Sequence, residues 1–444
     1  MNHPSFVVKT SCRTSKVIFP KLFHFILAII LFSFFAESYG QTGNHPFPSQ
    51  INYPHGIKPT HVSQEQMNID AMNWFKLWSS KYVTAEGCDK GHYRVQRVET
   101  GDNNDRDTVS EGIGYGMLIM VYMFNEENNT KPYFDGFWRY YRKFMNRSGL
   151  MNWRISKHGQ VLGSGGATDA DVDAAYALLM ADAQWGSSLE INYAGEAKKL
   201  IQNILKYEIN SNNDVRPGDG WDRANPSYFS PAYFRVFGDF THEPRWYQVA
   251  SHTYNSIVNY YYNSNETKDA SFPGEYTGLL PNWCGYEGGS SGWGDMDPHG
   301  YWWDAVRFPW RQGYDYLLFG EKNSALAKAN TARISAFFKR KYGGDPSKIA
   351  SHYNLKGQLT PYCRNDRKPD LCDEDVMNLA CGVGSTAVAA MVEGDQEWLN
   401  SLYKRLVDLP MTETNVNWGT DYFCDTLKML YLLVLSGNMM NPLD

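Results

Sequence analysis

The chain has no Cys-x-x-Cys pair, no long basic block, no low-complexity stretch and few segments that alternate apolar and polar residues. Each absence removes a class of protein. Without Cys-x-x-Cys spacing, a tetrahedral zinc site has no support in the sequence. Lys and Arg number 42 against 48 Asp and Glu, a formal charge of −6. A nucleic-acid partner, held by neutralising phosphates, is therefore not expected, and neutral glycans suit the chain better than polyanions. Without period-two runs or a βαβ rhythm, neither a sandwich nor a parallel-sheet fold is expected. Cysteine is scarce, at seven. Cys12 falls in the N-terminal leader, and the pairing of Cys88, Cys284, Cys363, Cys372, Cys381 and Cys424 is left open.

Aromatic residues are plentiful: 15% of the chain, with 14 Trp and 30 Tyr. Many stand among Gly, Asn and Asp rather than in apolar runs. Such rings suit a surface that stacks on the flat C–H faces of sugars, although most of the Tyr are expected to fill the core with their hydroxyls bonded.

Residues 1–40 differ from the rest. Lys9, Arg13, Lys16 and Lys21 precede the apolar run Leu22–Phe35, and Ser38-Tyr39-Gly40 supplies small residues for cleavage. This is the pattern of a secretory signal peptide, with mature numbering from about Gln41. The run is short for a membrane span, and an uncleaved anchor is the alternative. A secreted or periplasmic protein, free of the membrane after cleavage and monomeric, is expected. Residues 41–65 are rich in Pro, His, Gly and Asn and are expected to be an extended lead-in. No linker follows, so residues 66–444 are expected to form one domain.

Apolar spacing across that domain is helical. It predicts helices over Gly112–Asn125, Phe134–Met145, Asp171–Trp185, Glu196–Ile209, Trp246–Tyr262, Trp303–Phe319, Ala325–Tyr342, Asp375–Val392, Glu397–Val407 and Tyr422–Ser436. An all-α domain of about a dozen helices with long loops is expected.

Three acid-bearing segments open predicted helices. In Thr108–Gly116 (TVSEGIGYG), Ser110 is a candidate N-cap, Glu111 lies in the first turn, and the glycines leave room for a ligand. Ala167–Asp173 (ATDADVD) carries three acids in five residues, which repel unless something uses them. The run is similar to a calcium loop but has Ala174 and Met180 where that loop needs Gly and Glu. In Gly300–Arg311 (GYWWDAVRFPWR), Asp304 and Arg307 share a helix face, and the cation favours an ionised Asp304. Each segment also has a structural reading: a helix-start acid, a capped turn, an i,i+3 ion pair.

The segment Ala167–Trp185 (ATDADVDAAYALLMADAQW) closely resembles the signature of glycoside hydrolase family 8, departing at Ala174, where the family has a larger apolar residue. Val109–Met117, Met151–Trp153, Gly218–Trp221, Asn225–Phe237, Trp303–Arg311 and the tail Tyr422–Pro442 are similar to further segments of that family, in the same order. The resemblance implies an (α/α)6 toroid, six inner and six outer helices with a substrate cleft at one end. It implies an inverting hydrolase of internal β-1,4 bonds in a neutral polysaccharide, with an endo-β-glucanase expected first. An endoxylanase or a reducing-end xylose-releasing exo-oligoxylanase is the alternative, and a non-catalytic glycan-binding protein is the rival of another class. It places Glu111 as general acid, Asp304 as general base and Asp169 beside the sugar at the scissile bond. Asp171, Trp153, Trp221, Trp303 and Arg307 fall on substrate-supporting positions. No metal or other cofactor is implied.

Overall fold

A computed structural model describes residues 42–98, 106–187, 190–291, 299–322, 325–350, 352–360, 362–363, 372–373, 380–411 and 420–444. The expected signal peptide lies outside these residues, as does the middle of the loop Trp283–His299. Helices dominate, in chain order α1 Gln64–Tyr82, α2 Ser110–Tyr122, α3 Lys131–Lys143, α4 Thr168–Trp185, α5 Tyr193–Tyr207 and α6 Pro231–Thr241. Then come α7 Arg245–Thr253, α8 Phe308–Phe319, α9 Ala325–Tyr342, α10 Ala380–Glu393, α11 Gln396–Asp408 and α12 Thr420–Leu435.

Composition sorts them into two layers. Along α2, every residue but Glu111 is buried, and α10 (ACGVGSTAVAAMVE) is buried from Ala380 to Val392. A helix that is apolar all round belongs inside. The odd-numbered helices are amphipathic: α3 and α11 bury one stripe and expose charge on the other. Inner helices α2, α4, α6, α8, α10 and α12 each contact the next, and α12 returns to α2. The ring closes where α12 meets α1: Trp74 Nε1 donates to Asp425 O at 2.9 Å, Trp78 Nε1 to Thr426 Oγ1 at 2.9 Å, and Tyr82 OH to Asp425 Oδ2 at 2.6 Å. This is the expected all-α (α/α)6 toroid.

Small residues let the inner helices touch. A Cβ on Gly114 of α2 would stand 2.8 Å from Ala170 O of α4, and one on Gly384 of α10 would stand 2.2 Å from the Tyr431 ring of α12. The ring's axis is filled by polar groups in pairs. Arg311 and Asp173 form two bonds, at 2.5 and 2.7 Å. Beneath them Tyr176 stacks on Tyr233 at 3.8 Å, and its hydroxyl meets that of Tyr314 at 3.1 Å.

The lead-in is extended and crosses the C-terminal ends of the inner helices. Asn44 N donates to Gln184 O, Phe47 N to Phe124 O, Ile51 N to Gly437 O and Ile57 N to Met391 O. These bonds satisfy carbonyls that helix ends leave unpaired and close that end of the ring. The opposite end, where the inner helices begin, stays open. Strands are short. β1 Val83–Thr84 pairs with β2 Arg94–Val95, and β6 Tyr362–Cys363 with β7 Cys372–Asp373. An antiparallel trio of β3 Thr108–Val109, β4 Arg154–Ile155 and β5 Val161–Gly163 edges the open end.

Several expectations change in detail. Apolar spacing does not predict helices α1 and α6, α6 because its aromatic run Tyr228–Phe237 interleaves Pro and Ser. The helix expected over Trp246–Tyr262 is interrupted by a π turn at Tyr254–Val258. Ser110 does not cap α2: Val109 holds the N-cap position and no side chain bonds there, since Ser110 already lies inside the helix. Among the described residues, no helix is long and apolar enough to cross a membrane.

Replacing one member of a buried ion pair strands the other. Asp173→Asn is expected to lower stability by about 3–5 kcal/mol. An unchanged urea midpoint would show that the pair does not hold the axis.

Candidate active site

Three carboxylates from three inner-helix starts converge on one guanidinium. Glu111 lies in the first turn of α2, Asp169 in that of α4, and Asp304 in the 3-10 turn Trp303–Arg307 that leads into α8. Helix starts present unpaired N–H groups that favour acids. Arg307 Nη1 donates to Glu111 Oε2 at 2.8 Å and Asp169 Oδ2 at 2.6 Å, and also to Tyr115 OH at 2.9 Å. Its Nη2 donates to Ser227 Oγ at 2.9 Å and stands 3.2 Å from Asp304 Oδ1. The side chain of Arg307 is fully buried, whereas Glu111 and Asp304 are 17% and 26% exposed. The cation is thus the floor of the site and the carboxylates its surface. Tyr228 and Phe423 cover the guanidinium at 5.1 and 5.5 Å.

One positive charge cannot balance three negative ones in a desolvated place, so a proton is retained. Burial, aided by Asp169 and Asp304 and opposed by Arg307 and Tyr422, pushes Glu111 up to about 8. Tyr422 OH donates to Glu111 Oε1 at 3.2 Å. Burial raises Asp304 as well, against Arg307 and the Asn225 amide, whose Nδ2 donates to Asp304 Oδ2 at 2.9 Å. Arg307 is therefore no private counterion of Asp304, as its spacing had suggested. The glycine beside the acid has a different use from the one expected. At Gly112 a Cβ would lie 2.8 Å from Tyr422 OH, so the gap admits a tyrosine of the protein itself.

The cleft above these groups encloses about 220 Å³ and is lined by Arg97, Val109, Ser110, Glu111, Trp153, Ala167, Asp169, Tyr228, Trp303, Asp304, Tyr422 and Phe423. Trp153 lies flat on β5, where Gly163 makes room: a Cβ there would fall 2.2 Å from the indole. Trp303 has φ 43°, a left-handed backbone that a bulky residue rarely adopts. Strain of that kind persists where surroundings enforce it, and here it sets the residue just before Asp304.

Three of the five expected substrate-supporting residues do not line this cleft: Arg307 is its buried floor, and Asp171 and Trp221 stand apart from it. Asp171 is sealed under the cleft, accepting a hydrogen bond from Tyr141 OH. Its Oδ2 faces Glu208 Oε1 beneath Gly166, a Cβ on which would stand 2.9 and 3.0 Å from the two oxygens. Burial lifts Asp171 to about 7 and Glu208 well above its ordinary value, so the pair shares a proton. Trp221 stands outside the carboxylate cleft, its ring 6.2 Å from Trp283, which in turn is 6.3 Å from Tyr228. Trp283 thus extends the aromatic surface from Tyr228 to Trp221. Arg97, Tyr422, Glu208 and Asn225 were not singled out in the sequence. Asn225 and Tyr422 fall in segments matched to the family, whereas nothing local marks Arg97, which pairs with buried Asp107 at 2.5 Å.

A ring of paired helices, open at one end onto two carboxyl groups that share a buried cation, has the architecture and the groups of an acid–base glycosidase. The chain belongs to Glycosyl hydrolases family 8, whose pattern matches residues 46–354. It is 36% identical to endoglucanase 2 of Ruminiclostridium josui over 89% of this chain and 77% of that one. It is 31% identical to the β-glucanase of Niallia circulans over 96% and 97%. Its fold matches the apo structure of the β-1,3-1,4-glucanase from Paenibacillus sp. X4 with a TM-score of 0.76 and 30% identity, covering 90% of this chain and 99% of that one.

The shared proton has a measurable consequence. A carboxyl raised in the folded state holds a proton that the unfolded chain has lost, so stability falls as pH rises from about 4 towards 7. Glu208→Gln supplies a permanent N–H donor to Asp171. Its melting temperature is expected to fall less than that of the parent across this range. Parallel curves would mean that the two carboxyls do not share a proton.

Proposed function

We propose that this glycoside hydrolase cuts internal β-1,4 bonds of a neutral β-glucan with inversion, using Glu111 as general acid and Asp304 as general base. The observation that carries this reading is the sharing of Arg307. One buried cation among three carboxylates leaves Glu111 protonated near neutrality, while Asp304, more exposed and bonded to Asn225, is the carboxylate that activates water. Both carboxylates bond to one planar guanidinium, so their nearest oxygens stand no farther apart than about 8 Å. That ceiling is compatible with the roughly 6.5–9.5 Å that leaves room for water in inverting enzymes.

In the reaction Glu111 passes its proton to the departing glycosidic oxygen. Asp304 takes a proton from a water, whose oxygen attacks the anomeric carbon from the opposite face. Charge left on Glu111 is met by Arg307 and by the Tyr422 hydroxyl. Asp169, held by the same guanidinium, orients sugar hydroxyls at the scissile position. Trp153 and Trp303 supply flat surfaces in the cleft, and Trp221 supplies one farther along. Arg307 and Asp171 act from beneath, through the groups they hold. The endoglucanase and β-glucanase relatives favour glucan over xylan. Export of the chain from about Gln41, as a monomer, completes the proposal.

Glu111→Gln and Asp304→Asn are each expected to cut kcat by about 10³-fold or more while oligosaccharide binding survives. Near-normal turnover in either variant would remove it from its role. Proton NMR of fresh product from lichenan should show the α-anomer first; an initial β-anomer would mean retention. Reducing-sugar release from lichenan and carboxymethylcellulose should exceed that from xylan and chitosan. A preference for xylan would move the specificity, and binding without any product would favour a non-catalytic role. Activity should decline on the alkaline side near pH 8, as Glu111 loses its proton.

A further inference from the structure

The first turn of α12 carries three consecutive residues with three different attachments. Tyr422 bonds to Glu111, Phe423 covers Arg307, and Cys424 is joined by a disulfide to Cys381 in the first turn of α10. Both cysteines are buried. The disulfide therefore ties two neighbouring inner helices together at the rim of the cleft, two residues from the hydroxyl that touches the acid. The Tyr422 ring leans edge-on against Tyr82 at 6.1 Å, and its hydroxyl lies over the bare Cα of Gly112. The seam bonds of Asp425 and Thr426 tie the start of α12 to α1 on one side, and the disulfide ties it to α10 on the other.

We propose that Cys381 and Cys424 are a positioning pair for the acid: their disulfide holds the Tyr422 hydroxyl against Glu111 and so sets the pH at which Glu111 gives up its proton. The proposal rests on the assignment of Glu111 as acid. The sign follows from the donor. A hydroxyl that donates to the carboxylate stabilises the ionised form and keeps the acid from holding its proton too tightly. Five other groups act on Glu111. Arg307, from the start of α8, also favours ionisation; Asp169 of α4 and Asp304 of the 3-10 turn oppose it. Arg97 from the loop after β2 and Tyr115 of α2 complete the surroundings. Of these five only Arg307 touches α12, under the Phe423 ring, and its bonds to Asp169, Tyr115 and Ser227 hold it from other elements, so release of that helix start acts chiefly on the Tyr422 contribution.

The test compares the alkaline limb of kcat/KM on lichenan in four full-length chains: parent, Tyr422→Phe, Cys381→Ala with Cys424→Ala, and all three changes together. Tyr422→Phe should move the limb to higher pH by about half a unit or more. The double cysteine variant should move it the same way, and the triple variant no farther than Tyr422→Phe alone. A double variant that melts earlier but keeps the parental limb would overturn the proposal, since the disulfide would then be structural only. So would a limb that shifts again in the Tyr422→Phe background. Should the double variant not fold, Cys381→Val with Cys424→Ala, which refills the space of the sulfurs, gives the same comparison. Gly112→Ala, which displaces the hydroxyl without touching the cysteines, should reproduce the Tyr422→Phe limb. A parent without an alkaline limb, or an active Glu111→Gln, would instead fault the choice of acid.

Discussion

A single guanidinium out of reach of solvent organises the catalytic end of this molecule. Burying a cation costs several kcal/mol, and the cost is offset only when its donors are used and countercharge is close. Arg307 meets both terms with the carboxyl groups of Glu111, Asp169 and Asp304 and the hydroxyls of Ser227 and Tyr115. The same bonds bring three distant segments of chain to one point. Its position at the start of α8 also explains why the base and its anchor are three residues apart: the 3-10 turn points both the same way.

The toroid supplies what that arrangement needs. Inner helices with small residues at their contacts pack face to face, and polar pairs stand along the axis below the site. Arg311 with Asp173, then the stacked tyrosines, continue downward from Arg307. The floor under the carboxylates therefore ties α4, α6 and α8 to one another.

Much of this was legible in the sequence, for definite reasons. The helical period, the Ala-rich and Gly-rich inner segments and the family signature gave the all-α ring. The three acidic helix starts gave Glu111, Asp169 and Asp304. Partners contributed by remote segments escaped. Tyr422, 311 residues from Glu111, lies in a matched segment, but its contact exists only once the ring has closed; Glu208 meets Asp171 across the neighbouring helices α4 and α5, and nothing in its own segment marks it. Arg307 was placed correctly on the face of Asp304, but its burial was not legible. Spacing reports direction and says nothing of depth. Trp221 shows the same limit: the segment matched, yet the ring belongs to a pair with Trp283 beyond the carboxylates.

The seam between α1 and α12 joins residues more than three hundred positions apart, with Tyr82 bonded to Asp425 and Trp78 to Thr426. Contacts of such long range form late, since chain entropy must be spent before they repay it. Among the helices of the ring α12 is synthesised last, and only then do Gly437 and Asn438 become available to the strand laid across the closed end. The wall that carries Tyr422 and Phe423 arrives with that same helix. Assembly and competence thus coincide: a ring still missing that wedge has no complete cleft, and the site acquires its chemistry in the same event that closes the circle.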